Sequence, residues 1–263
     1  MACTSLVKSA AKTIKGVPKM TASHELGLSY KVANAPVKMF PYAHFFLSDV
    51  FSRELYSELQ KNLPDPQTMI SLAETGRVTP GAYKERFILP LNPEGIKKLP
   101  EGQQKFWHDF MTWIHGGRFS QIMMQKFAPI VQERFKNRQN VQFYQEALLV
   151  NDVTNYSLGP HADAPRKVIT MLFYLPADES QKHLGTSIYI PKDPSFTSDT
   201  GAHYKAKDFD LVATMPFLPN SLFAFARTDT SFHGVEPIND PNTRRWLLLF
   251  DIFARLPEKT ASS

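Results

Sequence analysis

The sequence predicts a mainly β domain: a jelly roll, or double-stranded β-helix, with helices ahead of it packed on one sheet. Three observations carry this. Between residues 141 and 253, eight stretches rich in Val, Ile, Leu, Phe and Tyr follow one another, each bounded by Gly, Pro, Asn or Asp. That is the pattern of short strands joined by turns. No helix-period segment interrupts them, which disfavours the helical crossovers of a parallel sheet and favours a sandwich or double-sheet jelly roll. Before residue 141, apolar residues recur at helical spacing instead.

Residues 1–35 read as a flexible basic extension, because Lys8, Lys12, Lys15 and Lys19 all precede the first acid, Glu25. A short extended segment follows at 40–46. Ser48 or Asp49 then caps a helix reaching Leu63, with Phe51, Leu55, Leu59 and Leu63 on one face and Pro64 as its stop. Residues 65–100 are rich in Pro and Gly and hold one strand, 86–91. Two helices, 101–115 and 118–134, are separated by Gly116-Gly117, and the Phe106, Phe110, Trp113 and Ile114 stripe packs the first against a sheet.

The eight strands are 141–150, 157–163, 167–175, 186–191, 209–215, 221–226, 232–237 and 244–253. The chain therefore divides into the extension and a single domain, 36–263, with a helical part (36–140) and a jelly-roll core (141–255).

The net charge of +5 belongs to the extension: without its four lysines, 26 basic residues face 25 acidic ones. A neutral body gives no support to a nucleic-acid groove. One cysteine, Cys3, excludes an internal disulfide or a thiolate metal site and fits a reducing compartment. No apolar run approaches the ~20 residues of a membrane span. The expectation is a cytoplasmic protein with no membrane partner. Organelle targeting by the cationic tail is the alternative.

Chemistry enters with His161-Ala162-Asp163, followed by His233 and then Arg244. A strand puts residues i and i+2 on one face, with Cα atoms roughly 6.5 Å apart. His161 and Asp163 can thus address one metal, and His233 from a neighbouring strand completes two imidazoles and a carboxylate. This facial set holds Fe(II) and leaves coordination positions open. The second and seventh strands of a jelly roll are antiparallel neighbours, and the strand count places His161 and Asp163 on the second and His233 on the seventh.

The phrases Asn155-Tyr-Ser-Leu-Gly-Pro-His161-Ala-Asp163 and Ser231-Phe-His233-Gly-Val-Glu-Pro-Ile238 resemble the Fe(II)/2-oxoglutarate-dependent oxygenases, over residues 141–253. Residues 41–64 show a looser likeness to the prolyl-hydroxylase-like branch. The resemblance implies His161, Asp163 and His233 as metal ligands and catalytic centre, with O2 and 2-oxoglutarate as cosubstrates and ascorbate as an accessory reductant. It also implies hydroxylation coupled to release of succinate and CO2. The substrate, a small molecule or a protein side chain, is left open. The carboxylate at Asp163 favours hydroxylation over halogenation, since related halogenases carry a small residue there.

An arginine suits the far carboxylate of the cosubstrate, because its planar fork matches carboxylate geometry. Alternation separates Arg244, which shares a face with Trp246, Leu248 and Phe250, from Arg245, which shares one with Asp251. Placing the uniformly apolar face inside selects Arg244. In the third strand the mixed face of Thr170, Leu172 and Tyr174 is the better cavity lining, so Thr170 joins the cosubstrate set. The resemblance adds Tyr174 as a cosubstrate holder. Arg227, Ser187 and Asn220 are rim candidates for substrate, while the remaining histidines read as surface or packing residues. Competing readings are a cupin-like metal oxygenase or isomerase without a 2-oxo acid, and a non-catalytic metal-binding module.

Overall fold

A computed structural model describes residues 20–255 apart from 77, 79–82 and 117. The lysines of the extension and Cys3 lie outside the described residues. In chain order the elements are α1 (Ala22–Asn34), β1 (His44–Leu47), α2 (Arg53–Lys61), β2 (Ile70–Ser71), β3 (Arg86–Pro90), α3 (Pro93–Ile96), α4 (Glu101–Gly116), α5 (Phe119–Lys126) and α6 (Ala128–Phe135). The strands β4 (Gln142–Val153), β5 (Leu158–His161), β6 (Lys167–Tyr174), β7 (Thr186–Pro191), β8 (Phe209–Met215), β9 (Ser221–Ala226), β10 (His233–Val235) and β11 (Arg244–Arg255) follow. All eight strands expected beyond residue 141 are present.

They form two antiparallel sheets. The larger has the order β1-β9-β6-β11-β4-β3-β2, the smaller β5-β10-β7-β8. Alternation along each strand of the large sheet separates two cores. Leu149, Ile169, Met171, Phe173, Leu248 and Phe250 pack outward against Phe106, Phe110, Phe119 and Phe127 of the helices. Val150, Leu172, Tyr174, Phe223, Phe225 and Leu247 face inward and meet Ile188 and Val235 of the small sheet. The helices thus cover one face of one sheet, and the other face is left to build a cavity.

Local departures from expectation have local causes. Helix α2 starts at Arg53, with the Ser52 hydroxyl accepting from Leu55 N, because Asp49 sits at φ 53° in a turn. The helix expected over 118–134 splits into α5 and α6 at Phe127, since Pro129 in the first turn of α6 lacks the N–H that would continue α5. The extension does not run free to residue 35. Residues 22–34 form α1, capped by Thr21, with Leu28 and Val32 buried and Glu25 accepting from Arg118 N.

Gly185 leads into β7 where a Cβ would lie 1.6 Å from the Met215 carbonyl oxygen of β8. Gly185→Ala must therefore spread the β7–β8 pair, and a loss of roughly 1–3 kcal/mol is expected in urea unfolding. An unchanged midpoint would show that the pair yields freely.

Candidate metal centre

In the small sheet β10 lies between β5 and β7. The register sets His233 directly opposite His161, and the chain leaves β5 two residues before Asp163. The ligand atoms of His161, Asp163 and His233 all lie within 4.8 Å of one another, and all three residues are buried. The imidazole centroids are 4.2 Å apart, and His233 Nε2 is 3.9 Å from Asp163 Oδ2.

Each imidazole is held in the form a metal needs. His161 Nδ1 faces the Gly159 carbonyl at 3.1 Å and His233 Nδ1 the Ser231 carbonyl at 3.0 Å. A carbonyl only accepts, so the proton sits on Nδ1 and the Nε2 lone pair is free, the arrangement outer partners of metal-bound histidines impose. Burial, reinforced by the neighbouring His233, lowers the His161 pKa to about 3. Burial likewise lowers His233, against the pull of Asp163. Burial alone would raise the Asp163 carboxyl; Lys167 and the two imidazoles outweigh it and hold the group well below the carboxylate range. At neutral pH the set is two neutral imidazoles and a carboxylate, which fits a divalent metal.

Around Asp163, Thr170 donates to Oδ2 at 2.6 Å, and Lys167 Nζ bridges Oδ1 (3.2 Å) and Asp251 Oδ2 (2.9 Å). Lys167 was not foreseen as a site residue. Alternation from Thr170 puts it on the opposite face with Ile169, and only the register irregularity of β6 against Ile252 and Phe253 brings it to the cavity side, so no sequence signal singled it out.

The cavity beyond the triad is lined by Thr170, Leu172, Thr186, Leu249, Arg86 and Arg245. The inward facing expected of Arg244 is reversed: Arg244 is exposed, while Arg245 is 1% exposed and lines the cavity. The uniformly apolar face of β11 packs on the helices, and the mixed face is the one that lines the cavity. Arg245 donates to the Leu184 carbonyl (2.6 Å) and to Asp152 (2.7 Å), and its guanidinium lies 5.0 Å from the Phe217 ring. Tyr174 is fully buried beside it and donates to Thr186 Oγ1 at 2.8 Å.

The three rim candidates are used elsewhere. Arg227 is 4% exposed and donates to the Asp163 carbonyl at 3.0 Å and the Ser198 carbonyl at 3.2 Å, with Asp229 as its ion pair, so it pins the ligand loop and presents nothing to solvent. Ser187 points away from the cavity to Thr214 at 3.0 Å; its neighbour Thr186 is the inward residue of β7. Asn220 binds both backbone groups of Phe51 at 2.9 Å and fixes the approach to α2.

Two further residues come from distant segments. The His203 ring lies 4.7 Å from that of His161, and the Tyr83 hydroxyl meets His203 Nε2 at 2.5 Å, so this pair walls one side of the triad. Tyr42 is 4% exposed, its hydroxyl has no hydrogen-bond partner among the described residues, and burial followed by the charges of Asp163 and Tyr174 raises its pKa. No period or motif singled out any of these three.

No family model and no curated protein matches the sequence. Among solved structures, the chain is similar to the non-haem α-ketoglutarate-dependent epimerase SnoN from nogalamycin biosynthesis, with a TM-score of 0.51 at 11% identity, covering 89% of this chain and 84% of that one. A prolyl 4-hydroxylase from Phytophthora capsici gives a TM-score of 0.50 at 14% identity, covering 92% of this chain and 69% of the other. The chain has the fold of the 2-oxoglutarate–iron(II) oxygenases. Within this oxygenase fold, the His161, Asp163 and His233 cluster lies where the two sheets meet, with the arginine cavity behind it. Among the described residues, no helix is long and apolar enough to cross a membrane.

Proposed function

We propose that the protein is an Fe(II)- and 2-oxoglutarate-dependent oxygenase that hydroxylates a small molecule or a peptide side chain, with His161, Asp163 and His233 holding the metal. One observation carries the cosubstrate: the distribution of buried charge. At the deep end of the cavity, Arg86 and Arg245 face a single carboxylate, Asp152, leaving one positive charge. At the triad end, Asp163 and Asp251 face Lys167, leaving one negative charge that a divalent metal turns into one positive. Uncompensated buried charge costs several kcal/mol per ion. A diacid with its 2-oxo acid head at the metal and its far carboxylate at Arg245 neutralises both ends.

Bound iron supplies a site where O2 is activated while the 2-oxo acid loses CO2. The chain's own residues do the rest. Thr170 and Lys167 orient the Asp163 carboxylate, Arg227 fixes its backbone, and the Gly159 and Ser231 carbonyls fix the imidazoles. Arg245, Thr186 and Tyr174 form the polar end that receives the far carboxylate, and Tyr42 offers a further unengaged hydroxyl close to Asp163. His203 and Tyr83, from two separate loops, stand beside His161 and are the groups we assign to meeting the substrate. The two similar structures are an epimerase and a prolyl 4-hydroxylase, so the fold by itself fixes neither reaction type nor substrate.

The test is turnover of 2-oxoglutarate by the iron-loaded protein, read as succinate. Slow release without substrate, accelerated by a candidate peptide or small molecule and by ascorbate, is the expected result. No succinate and no 2-oxoglutarate binding would favour a metal enzyme that uses no 2-oxo acid.

A further inference from the structure

Three neighbouring strands bring two cations to one anion in the protein interior. In the large sheet β4 lies between β3 and β11, and the registers pair Asp152 with Arg86 on one side and with Arg245 on the other. Arg86 binds Asp152 through two donors, Nε to Oδ1 at 2.6 Å and Nη2 to Oδ2 at 2.9 Å. Arg245 adds a single bond, Nη1 to Oδ2 at 2.7 Å. Among the described residues, no other carboxylate is bonded to either guanidinium. The Asp152 side chain has no exposure, and those of Arg245 and Arg86 have 1% and 14%.

The two bonds are unequal in kind. A guanidinium on both oxygens of a carboxylate is the complete fork-to-fork pair. Arg86 therefore satisfies Asp152 by itself, and it is fixed there by stacking 4.5 Å over the Tyr156 ring. The cation in excess is Arg245. Its Nε is spent on the Leu184 carbonyl and its bond to Thr186 is long, at 3.4 Å, so Nη2 is the donor left for a ligand. Were Arg86 absent, Asp152 and Arg245 would form a closed neutral pair, and this end of the cavity would lose its net charge.

We infer that Arg86 is a positioning residue for the cosubstrate. By taking up Asp152, it keeps the charge of Arg245 available to a distal carboxylate, and it thereby sets the preference for a 2-oxo diacid over a 2-oxo monoacid. The inference rests on the reading of Arg245 as the cosubstrate's cation, and it assigns diacid selectivity to a residue upstream of the β-rich region, on β3.

The experiment titrates the full chain, loaded with redox-inactive Zn(II), with 2-oxoglutarate and with 2-oxobutyrate, which has the same 2-oxo acid head and no far carboxylate. In the wild type the diacid binds more tightly. Arg86→Met is expected to lose about tenfold or more of its 2-oxoglutarate affinity, a change of about 1.4 kcal/mol per factor of ten. Its 2-oxobutyrate affinity and its zinc stoichiometry should stay within about twofold, a change too small to reflect a lost charge contact. Arg86→Lys, which keeps the charge but not the fork, should retain part of the selectivity and guards against a Met variant that fails to fold. Equal losses for both acids would show that Arg86 serves the fold alone and would overturn the inference, as would selectivity unchanged in both variants. A wild type that binds the two acids equally would instead remove the diacid cosubstrate itself, a separate failure.

Discussion

Alanine in place of His161, Asp163 or His233 is expected to abolish stoichiometric loading of one divalent iron per chain. Each change removes one of three ligands from a site whose donor atoms lie within 4.8 Å of one another. Losing one ligand of a facial triad leaves two contacts, too few to compete with water for a labile first-row ion. Anaerobic titration with Fe(II), read as stoichiometry and dissociation constant, checks this in all three variants. Asp163→Gly adds a finer point. Thr170 and Lys167 then lose their common acceptor, and the vacated metal position opens to an external anion. Loss of hydroxylation is expected, with weak chloride-dependent chemistry only where excess Fe(II) and chloride together refill the site. Full, tight loading in every variant would remove the triad from the mechanism, and wild-type hydroxylation by Asp163→Gly would show that the carboxylate is not a ligand.

Arg245→Ala is expected to lose roughly 2–5 kcal/mol of 2-oxoglutarate binding, about 30- to several-thousand-fold, because the far carboxylate is then buried without its cation. Arg245→Lys recovers only part of this, since an ammonium cannot reproduce the planar fork. Arg244→Ala, at an exposed position whose side chain bonds its neighbour's carbonyl, should change affinity little. Iron loading should persist in every arginine variant, since neither side chain contacts the three ligands. The 2-oxoglutarate dependence of succinate formation measures all of these. A large loss in Arg244→Ala with a near-normal Arg245→Ala would reverse the facing of β11, and no loss in either would argue against a diacid.

The two arginines also show where a sequence stops being legible. Strand 244–253 was recognisable from its composition, and period two divides it into two faces without ambiguity. Which face looks at the ligand is not a local property. Trp246, Leu248 and Phe250 form the more apolar face because they pack on helices, and a ligand cavity needs polar groups, so the mixed face of Arg245 and Asp251 turns inward. The same rule applied to β6 selected Thr170, and the structure turns the mixed face of Thr170 and Tyr174 inward. Ser187 and Thr186 repeat the one-residue ambiguity on β7.

What the sequence by itself determined was the fold class, all eight strands of the β-rich half, and the residues His161, Asp163 and His233. Each is encoded within a few consecutive positions, by alternation, turn residues or a ligand-spaced phrase. What only the tertiary structure decided was the surroundings of those ligands. Asp152 and Arg86 meet Arg245 through strand register, His203 and Tyr83 meet beside His161 through two loops, and Tyr42 reaches the region of Asp163 from ahead of β1. Arg227, by contrast, is drawn into the ligand loop. The pairings join segments far apart in sequence, and burial makes each of them specific: a charge or hydroxyl taken out of water must find its partner wherever the packed chain places one.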